Sequence, residues 1–271
     1  MDVRSWTPYG RALLDFFNGK TKATVTVHEA DGKKRKMPMS TFFRKSFEFP
    51  FLESTALSLC RGRILDIGAG AGCHSLTLQE QGFAVCAIDI SPQAVEVMSK
   101  RGVKEVYCAD IFDFQSEPFD TILMMMNGIG LVENPADLDR FLAIVHRLLT
   151  QGGQILLDSS DMRSTAMRNA DMNSTDSTPR SDSRSDSRSD SNSDSNSDQQ
   201  SDQQSDRYIG EVKFQMEYKK EKGPPFCWLF IDPDMLTDQA SKAGWSCEVI
   251  YREWDGHYLA RLRHLSYPSI R

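Results

Sequence analysis

The chain has 271 residues, a net charge of -6 and 39% hydrophobic residues. This length allows one domain with a full core, and no apolar run approaches the roughly 20 residues that span a bilayer. The mildly acidic net charge lacks the excess of positive charge that is typical of proteins that bind nucleic acid. We therefore expect one globular domain that binds neither nucleic acid nor a membrane.

Residues 1–50 are predicted to form a cap that precedes the main sheet. Thr24–His28 alternates polar and apolar residues, Asp31-Gly32 is typical of a hairpin turn, and a basic run leads to Met37. The first six residues lack the apolar core of a signal peptide. We expect this cap to cover a ligand cleft and to take part in substrate selection.

The six cysteines indicate the compartment in which the protein works. They contain no C-x-x-C pair, and four of them lie in or beside predicted core strands. Buried free thiols in a reducing cytoplasm explain this pattern better than disulfides or a structural metal site. We expect a cytoplasmic protein without a metal.

Residues 51–161 alternate between buried strands and amphipathic helices, which predicts a parallel sheet with right-handed crossovers. A helix over residues 50–59 leads into the first strand. The predicted strands are 63–67, 84–88, 105–108, 120–126 and 154–158, and the helices are 72–81, 91–101 and 137–149. Gly152-Gly153 is predicted to separate the last helix from the last strand.

Residues 162–206 interrupt the alternation with a polar insert. From Ser181 onwards an aspartate recurs at every fourth position, and no apolar residue interrupts the repeat. Such a sequence buries too little apolar surface to offset the entropy of ordering, so it predicts a disordered surface loop. A tract for phosphorylation or cation binding is the functional alternative.

Residues 207–271 are predicted to complete the sheet after an extra β-hairpin. The strands 208–218 and 226–231 flank a Gly-Pro-Pro turn, and a helix over 234–243 follows. The strands 245–253 and 258–263 are joined by Asp255-Gly256, which makes the last strand antiparallel to its neighbour. The extra hairpin contains the aromatic residues Tyr208, Tyr218, Phe226 and Trp228, which indicate either core packing or a roof over an apolar or aromatic ligand.

The glycine loop after the first core strand indicates the ligand. It reads D-x-G-x-G-x-G from Asp66 to Gly72, whereas the dinucleotide fingerprint would require a glycine where Cys73 stands. An acid two residues before the first glycine suits a cationic ligand and would repel a pyrophosphate. A purely structural glycine turn is the alternative.

This loop, together with Asp89 at the end of the next strand, resembles motif I of the class I S-adenosylmethionine-dependent methyltransferases. The resemblance covers about residues 51–160 and 232–265. It implies an α/β fold with a doubly wound, mostly parallel seven-stranded sheet and a reversed last strand. The N-terminal cap and the extra hairpin fall outside the resemblance. The cofactor that it implies is S-adenosyl-L-methionine.

The resemblance also implies which residues hold the cofactor. Asp89 would accept both ribose hydroxyls, Asp110 would accept from the adenine amino group, and Asn127 would contact the methionine part. A helix cap or a simple turn is the alternative for each. The complete implied set is Asp66, Gly68, Ala69, Gly70, Gly72, Asp89, Ile90, Asp110, Ile111 and Asn127.

No catalytic residue is assigned from the sequence. Asp158 and Asp161 end the fifth strand and would orient an amine, act as a base or hold a metal, or else serve as a strand-end cap and a turn. His74 either touches the cofactor tail or faces solvent. The sequence lacks the Asn-Pro-Pro-Tyr and Pro-Cys motifs that would mark base methylation.

These features predict a methyltransferase that acts on a small-molecule acceptor by in-line transfer. Two alternatives stay open, namely a module that binds S-adenosylmethionine without catalysis and an NAD(P)-dependent oxidoreductase.

Overall fold

The structure is a computed structural model that describes residues 1–163 and 208–265. The helices of the described part are α1 (Thr7–Phe17), α2 (Phe51–Ser58), α3 (Cys73–Glu80), α4 (Pro92–Arg101), α5 (Leu138–Arg147) and α6 (Pro233–Lys242). The predicted Ser/Asp repeat lies outside the described residues. None of the described helices has the length and apolarity that spanning a bilayer requires.

Seven strands form the main sheet. They are β3 (Arg63–Ile67), β4 (Ala84–Asp89), β5 (Glu105–Cys108), β6 (Phe119–Met124), β7 (Leu149–Ser160), β11 (Trp245–Arg252) and β12 (His257–His264). Their order across the sheet is β11-β12-β7-β6-β3-β4-β5, and β12 runs antiparallel to both of its neighbours. The predicted doubly wound sheet with a reversed last strand is confirmed.

The strands and helices around β3 have the burial and the helix caps that the sequence predicts. β3, β4 and β6 are almost completely buried because helices cover both faces of the sheet. Helix α4 begins where the Ser91 hydroxyl accepts a hydrogen bond from the Ala94 N–H, with Pro92 as its first residue. It ends at Gly102, whose φ of 98° is left-handed.

One boundary of the core differs from the prediction. Gly152 and Gly153 do not separate a helix from a strand, because β7 already begins at Leu149. The register of β6 against β7 shifts between the pairs Phe119–Leu149 and Thr121–Gln154. The glycines thus lie in an irregular stretch of β7, where Gly152 has a φ of 75°.

The remaining strands form a second sheet that joins the N-terminal cap to the extra hairpin. Its strands are β1 (Thr24–Glu29), β2 (Lys34–Pro38), β8 (Glu211–Tyr218), β9 (Glu221–Lys222) and β10 (Phe226–Leu229). The order is β10-β8-β1-β2, and all pairs are antiparallel. Val27 of β1 lies opposite Met216 of β8, so the two segments form one structural unit.

Helix α1 was not predicted from the sequence. It begins at Thr7 with Pro8 in its first turn, and it packs against α4 and β8. Its buried face contains Tyr9, Ala12 and Leu13. The close approach to α4 depends on Gly10, because a Cβ at that position would lie 2.4 Å from the Ser91 hydroxyl.

Candidate functional site

A cavity of about 460 Å³ lies at the carboxyl ends of β3, β4, β5 and β6. This is the end of a doubly wound sheet at which ligands bind. The second sheet and α1 close the cavity from the opposite side. Eight of the ten predicted site residues line it, namely Asp66, Gly68, Ala69, Asp89, Ile90, Asp110, Ile111 and Asn127.

The other two predicted site residues, Gly70 and Gly72, do not line the cavity. A Cβ on Gly70 would lie 2.6 Å from the Tyr9 hydroxyl, and a Cβ on Gly72 would lie 2.9 Å from Val103. Both also have left-handed φ angles. These glycines therefore allow close packing, of Gly70 against Tyr9 and of Gly72 against Val103.

Gly68 has the opposite environment. Its φ of 69° is left-handed, and a Cβ built on it would meet no heavy atom within 4 Å. The N–H groups of Gly68 and Ala69 both donate to the Ile88 carbonyl, at 2.9 and 3.1 Å. The loop is thus fixed to β4 while Gly68 leaves open space in the cavity.

Asp89 is buried at the end of β4 and accepts one backbone hydrogen bond on each carboxylate oxygen. Gly70 donates to Oδ2 at 2.9 Å, and Ser91 donates to Oδ1 at 2.8 Å. Burial raises the pKa of this carboxyl to about 6, against the effect of those two hydrogen bonds. Each oxygen keeps a lone pair that a ligand hydroxyl can use.

Asp66 is also buried in the cavity wall, and the Ser75 hydroxyl donates to its Oδ2 at 2.5 Å. Burial raises the pKa of Asp66, and the nearby His74 lowers it in part. A cationic ligand group beside Asp66 would offset the desolvation of its carboxylate.

Asp110 lies in the turn after β5, where its Oδ1 accepts from the Phe112 N–H at 3.0 Å. It therefore caps this turn and lines the cavity as well. Ile90 and the buried Ile111 provide apolar surface on either side. This end of the cavity combines an apolar slot with one carboxylate, whose Oδ2 pairs with the N-terminal ammonium of Met1 at 3.4 Å.

Asn127 follows β6 in a left-handed conformation with a φ of 58°. Its backbone N–H donates to Asp158 at 2.8 Å, and its side-chain oxygen accepts from the Ser160 hydroxyl at 2.9 Å. Its Nδ2 has no hydrogen-bond partner among the described residues. The strained backbone and the fixed oxygen leave this amide donor available in the cavity.

Asp158 and Asp161 do not line the cavity. Asp158 is fully buried and pairs with Nε2 of His257 at 2.8 Å. Burial alone would lower the pKa of His257, but the hydrogen bond to Asp158 raises it overall. Asp158 thus holds the backbone of Asn127 in place, which agrees with the alternative that Asp158 caps the end of its strand. In residues 1–163 and 208–265, no group of three or more His, Cys, Asp or Glu side chains could hold a metal.

Aromatic side chains form the opposite side of the cavity, and we call this set the aromatic wall. It consists of Trp6, Tyr9, Phe42, Phe214, Phe226, Trp228 and Phe230. Within it, the Trp6 and Trp228 rings lie 5.5 Å apart and the Tyr9 and Phe42 rings 5.1 Å apart. The sequence indicated Phe226 and Trp228, whereas Tyr208 and Tyr218 lie outside the lining.

Two polar atoms of the aromatic wall lack partners among the described residues. The Trp6 Nε1 is buried without a hydrogen bond, and no bond is made by the hydroxyl of the buried Tyr9. Buried polar groups of a protein are nearly always paired. The Trp6 Nε1 is enclosed by protein, whereas the Tyr9 hydroxyl is not, so Tyr9 is the donor of the two that a ligand in the cavity would satisfy.

A buried cluster of charged side chains lies at the same end of the cavity as Asp66. His74 lines the cavity, and its Nε2 lies 2.7 Å from Oε2 of Glu53. Arg44 Nη2 donates to both oxygens of Glu53, at 2.9 and 3.0 Å. The sequence analysis noted His74 but did not identify its partners, because they come from two distant segments.

Comparisons with known proteins agree with this geometry. A protein-family model described as "Methyltransferase domain" matches residues 64–153. The crystal structure of a SAM-dependent methyltransferase from Bacteroides fragilis, in complex with S-adenosyl-L-homocysteine, is 35% identical. It aligns over 97% of both chains with a TM-score of 0.77. The chain belongs to the S-adenosylmethionine-dependent methyltransferase family.

Curated relatives match a smaller part of this methyltransferase. A demethylmenaquinone methyltransferase from Tropheryma whipplei is 30% identical over 100 residues, which is 35% of this chain and 40% of the relative. A ubiquinone biosynthesis O-methyltransferase from Xanthomonas euvesicatoria is 31% identical over 114 residues, which is 39% of this chain and 46% of the relative. The chain thus spans less than half of the length of these relatives.

The cavity fits the S-adenosyl-L-methionine of this family. A cationic, phosphate-free adenosine compound suits a cavity that presents Asp66, Asp89 and Asp110 and a glycine with open space in front of it. The predictions of the family, the enzyme class and the cofactor are confirmed. The two alternatives, a non-catalytic binding module and an oxidoreductase, are not supported.

Proposed function

We propose that this methyltransferase transfers a methyl group to a small, largely apolar or aromatic acceptor held against the aromatic wall. The observation that carries the proposal is the composition of that wall. Seven aromatic side chains face the glycine loop across the cavity. Aromatic surfaces of this kind bind flat apolar molecules, and the unpaired Tyr9 hydroxyl would orient a polar group of the acceptor.

We propose the eight lining residues as the cofactor contacts, with Gly70 and Gly72 allowing the loop to pack closely against its neighbours. Asp89 would hold the ribose hydroxyls, Asp66 the amino group of the methionine tail, and Asp110 the adenine amino group. Asn127 would donate its free Nδ2 at the methionine end. Bound S-adenosylmethionine supplies a methyl group on a sulfonium, which is activated for displacement.

The protein's contribution to the in-line reaction is then mainly alignment. The main sheet fixes the cofactor side through the Gly68–Ile88 and Asp89–Gly70 hydrogen bonds. The second sheet fixes the acceptor side, because β1 pairs with β8 and both present cavity residues. We propose that residues 1–50 and the hairpin at 208–231 act together as the acceptor-selecting unit.

The names of the curated relatives agree with an acceptor of this class. One is named for demethylmenaquinone and the other for ubiquinone biosynthesis, and quinone rings are flat and largely apolar. The family-model match, residues 64–153, contains none of the aromatic wall. The aromatic wall of this chain therefore supports the acceptor class independently of those names.

We also propose a reducing, cytoplasmic setting. All six cysteines lie in the described part of the chain and form no disulfide there, and Cys60, Cys73 and Cys86 are buried. Burial raises the pKa of each of these three thiols to about 12, which keeps them protonated and inert.

Trp228→Ala tests the role of the aromatic wall. We expect the variant to bind S-adenosylhomocysteine within about threefold of wild type and to lose about tenfold or more in kcat/KM for the acceptor, because truncation removes a stacking surface. The matched control is Trp254→Ala, since Trp254 is 79% exposed and lies outside the cavity lining. Unchanged turnover by a folded Trp228→Ala variant would remove the wall from acceptor binding.

A further inference from the structure

We propose that His74 is the general base of this enzyme and that Glu53 and Arg44 position it. In this role, Nδ1 of His74 takes the proton that a hydroxyl or ammonium acceptor loses when it is methylated. The inference rests on the proposed function, since it concerns the proton of a small-molecule acceptor in the same cavity.

The geometry of the His74–Glu53 pair carries the inference. Both side chains are less than one-tenth exposed, and His74 Nε2 lies 2.7 Å from Glu53 Oε2. Helix α3 begins directly after the glycine loop, which places His74 in its first turn beside the cavity. Helix α2 brings Glu53 against it from the opposite side.

Arg44 keeps Glu53 ionised, so that Glu53 acts as a hydrogen-bond acceptor. The guanidinium contacts both carboxylate oxygens, and its Nε is fixed by the Thr41 carbonyl at 2.7 Å. Burial alone would raise the pKa of Glu53, but the hydrogen bond from His74 and the charge of Arg44 lower it overall. An ionised Glu53 cannot donate, so the shared proton must lie on Nε2 of His74.

This choice of tautomer leaves a lone pair on Nδ1 of His74. In a neutral imidazole one nitrogen carries the proton and the other accepts. Nδ1 of His74 forms no hydrogen bond with any described residue. A base at the methionine end of the cavity, with its acceptor atom free, is the arrangement that proton removal requires.

In the proposed methyl transfer, every bond and every proton is accounted for. The acceptor heteroatom forms a bond to the methyl carbon, and the carbon–sulfur bond breaks with its electron pair passing to sulfur. The acceptor proton passes to Nδ1 of His74, and the resulting imidazolium is stabilised by the ionised Glu53. The products are S-adenosylhomocysteine, the methylated acceptor and a proton that returns to solvent when Nδ1 is deprotonated.

Other charged or titratable groups also face the pair and enter any pH profile. Asp66 of β3 has a raised pKa because it is buried, and the buried thiol of Cys73 has a pKa of about 12. Arg44 carries a fixed positive charge, and Phe49 stacks on His74 with ring centroids 5.0 Å apart. Of the groups close to His74, Asp66 is the one whose ionisation must be separated from that of the imidazole.

The first test uses nitrogen-15 NMR of the histidine ring, with S-adenosylhomocysteine as the probe ligand. We expect His74 to carry its proton on Nε2 both without and with the ligand. The competing role is that a protonated Nδ1 binds the carboxylate of the methionine tail. A proton on Nδ1 of His74 in either state would overturn the proposal.

The second test is kinetic and compares His74→Gln, Glu53→Gln and Glu53→Asp with wild type. We expect His74→Gln to lower kcat about 100-fold or more with little change in the affinity for S-adenosylhomocysteine, as for a lost general base. Glu53→Gln should lower kcat less and shift the acid limb of the kcat pH profile. Glu53→Asp should partly restore both, and a merely structural Glu53 would leave the profile unmoved.

The failures of the two proposals are distinguishable. If the proposed acceptor class is wrong, wild type transfers no methyl group to small molecules, while the His74 tautomer stays as expected. If the base is wrong, His74→Gln turns over at the wild-type rate, or it loses about tenfold or more in S-adenosylhomocysteine affinity because it held the cofactor tail. Thermal unfolding of each variant shows whether it is folded.

Discussion

The backbone N–H of Gly70 donates a hydrogen bond of 2.9 Å to Oδ2 of Asp89, 19 positions further along the chain. The glycine loop and the acid at the end of β4 therefore form a single unit. Asp89 is held with both oxygens oriented before any ligand arrives, since Ser91 fixes the second oxygen. Pre-organised acceptors of this kind reduce the entropy lost on binding.

Asp89→Ala tests this unit directly. We expect the affinity for S-adenosylmethionine to fall at least about tenfold, because hydrogen bonds to a charged acceptor contribute about 1.5–3 kcal/mol each. Isothermal titration calorimetry measures the change. Asp113→Ala is the control, since Asp113 is an exposed carboxylate outside the cavity lining. Equal affinities of the two variants would remove Asp89 from the site.

The raised pKa of Asp89 predicts a pH dependence of binding. Two hydroxyls can donate only to the ionised carboxylate, and burial raises its pKa to about 6. Below that pH a proton must be released on binding, so the affinity should fall about tenfold between pH 7 and pH 5. In Asp89→Asn this dependence should be weaker. An identical slope in the variant would assign the effect to Asp66 instead.

Gly68 and Gly82 form a matched pair for testing contact with the cofactor. Both have left-handed φ angles, 69° and 92°, and a Cβ on either would meet no heavy atom within 4 Å. Each Ala variant should therefore lose a similar stability of about 1–2 kcal/mol from backbone strain. Only Gly68→Ala should also weaken S-adenosylhomocysteine, by about tenfold or more, because its methyl group would project into ligand space.

Thermal unfolding and calorimetry measure the two quantities separately. Unimpaired binding by Gly68→Ala would show that the open space beside Gly68 is not occupied by the cofactor. A loss of binding in Gly82→Ala would show that strain alone is responsible.

Gly130 leaves the space that the Trp228 indole of the aromatic wall occupies. A Cβ on Gly130 would lie 2.0 Å from Nε1 of Trp228, so Gly130→Ala must displace the indole ring. We expect a loss of about 1–3 kcal/mol in stability, as for other overpacked sites, together with a raised KM for the acceptor. Gly153→Ala is the control, because its Cβ would also crowd a side chain, Leu149 at 2.9 Å, but lies outside the cavity lining. Equal kinetics of the two variants would contradict this role of Gly130.

The sequence predicted the main sheet and its glycine loop because their signals are local. Strand β3, the loop, α3 and β4 follow one another within 27 residues, and each boundary has a glycine or a helix cap. The carboxyl ends of parallel strands converge, so residues after β3, β4, β5 and β6 were expected at one edge. Eight of the ten indeed line one cavity.

The acceptor side was not predictable in the same way, because it depends on pairing between distant segments. Val27 pairs with Met216 across 189 positions, and no local pattern specifies that register. Tyr9 of helix α1 and Trp6, the residue before it, come from a stretch whose buried face is narrow and includes Gly10. Glu53 likewise meets His74 only through the packing of α2 against the loop region.

The central claim is that this enzyme methylates small molecules, and the most direct measurement follows a labelled methyl group. The full chain is incubated with S-adenosylmethionine carrying a radioactive methyl group and a whole-cell extract, and the products are separated by size and polarity. We predict label in apolar or aromatic small molecules, formed by wild type and strongly reduced in Asp89→Ala. Label found only in protein or nucleic acid would contradict the account.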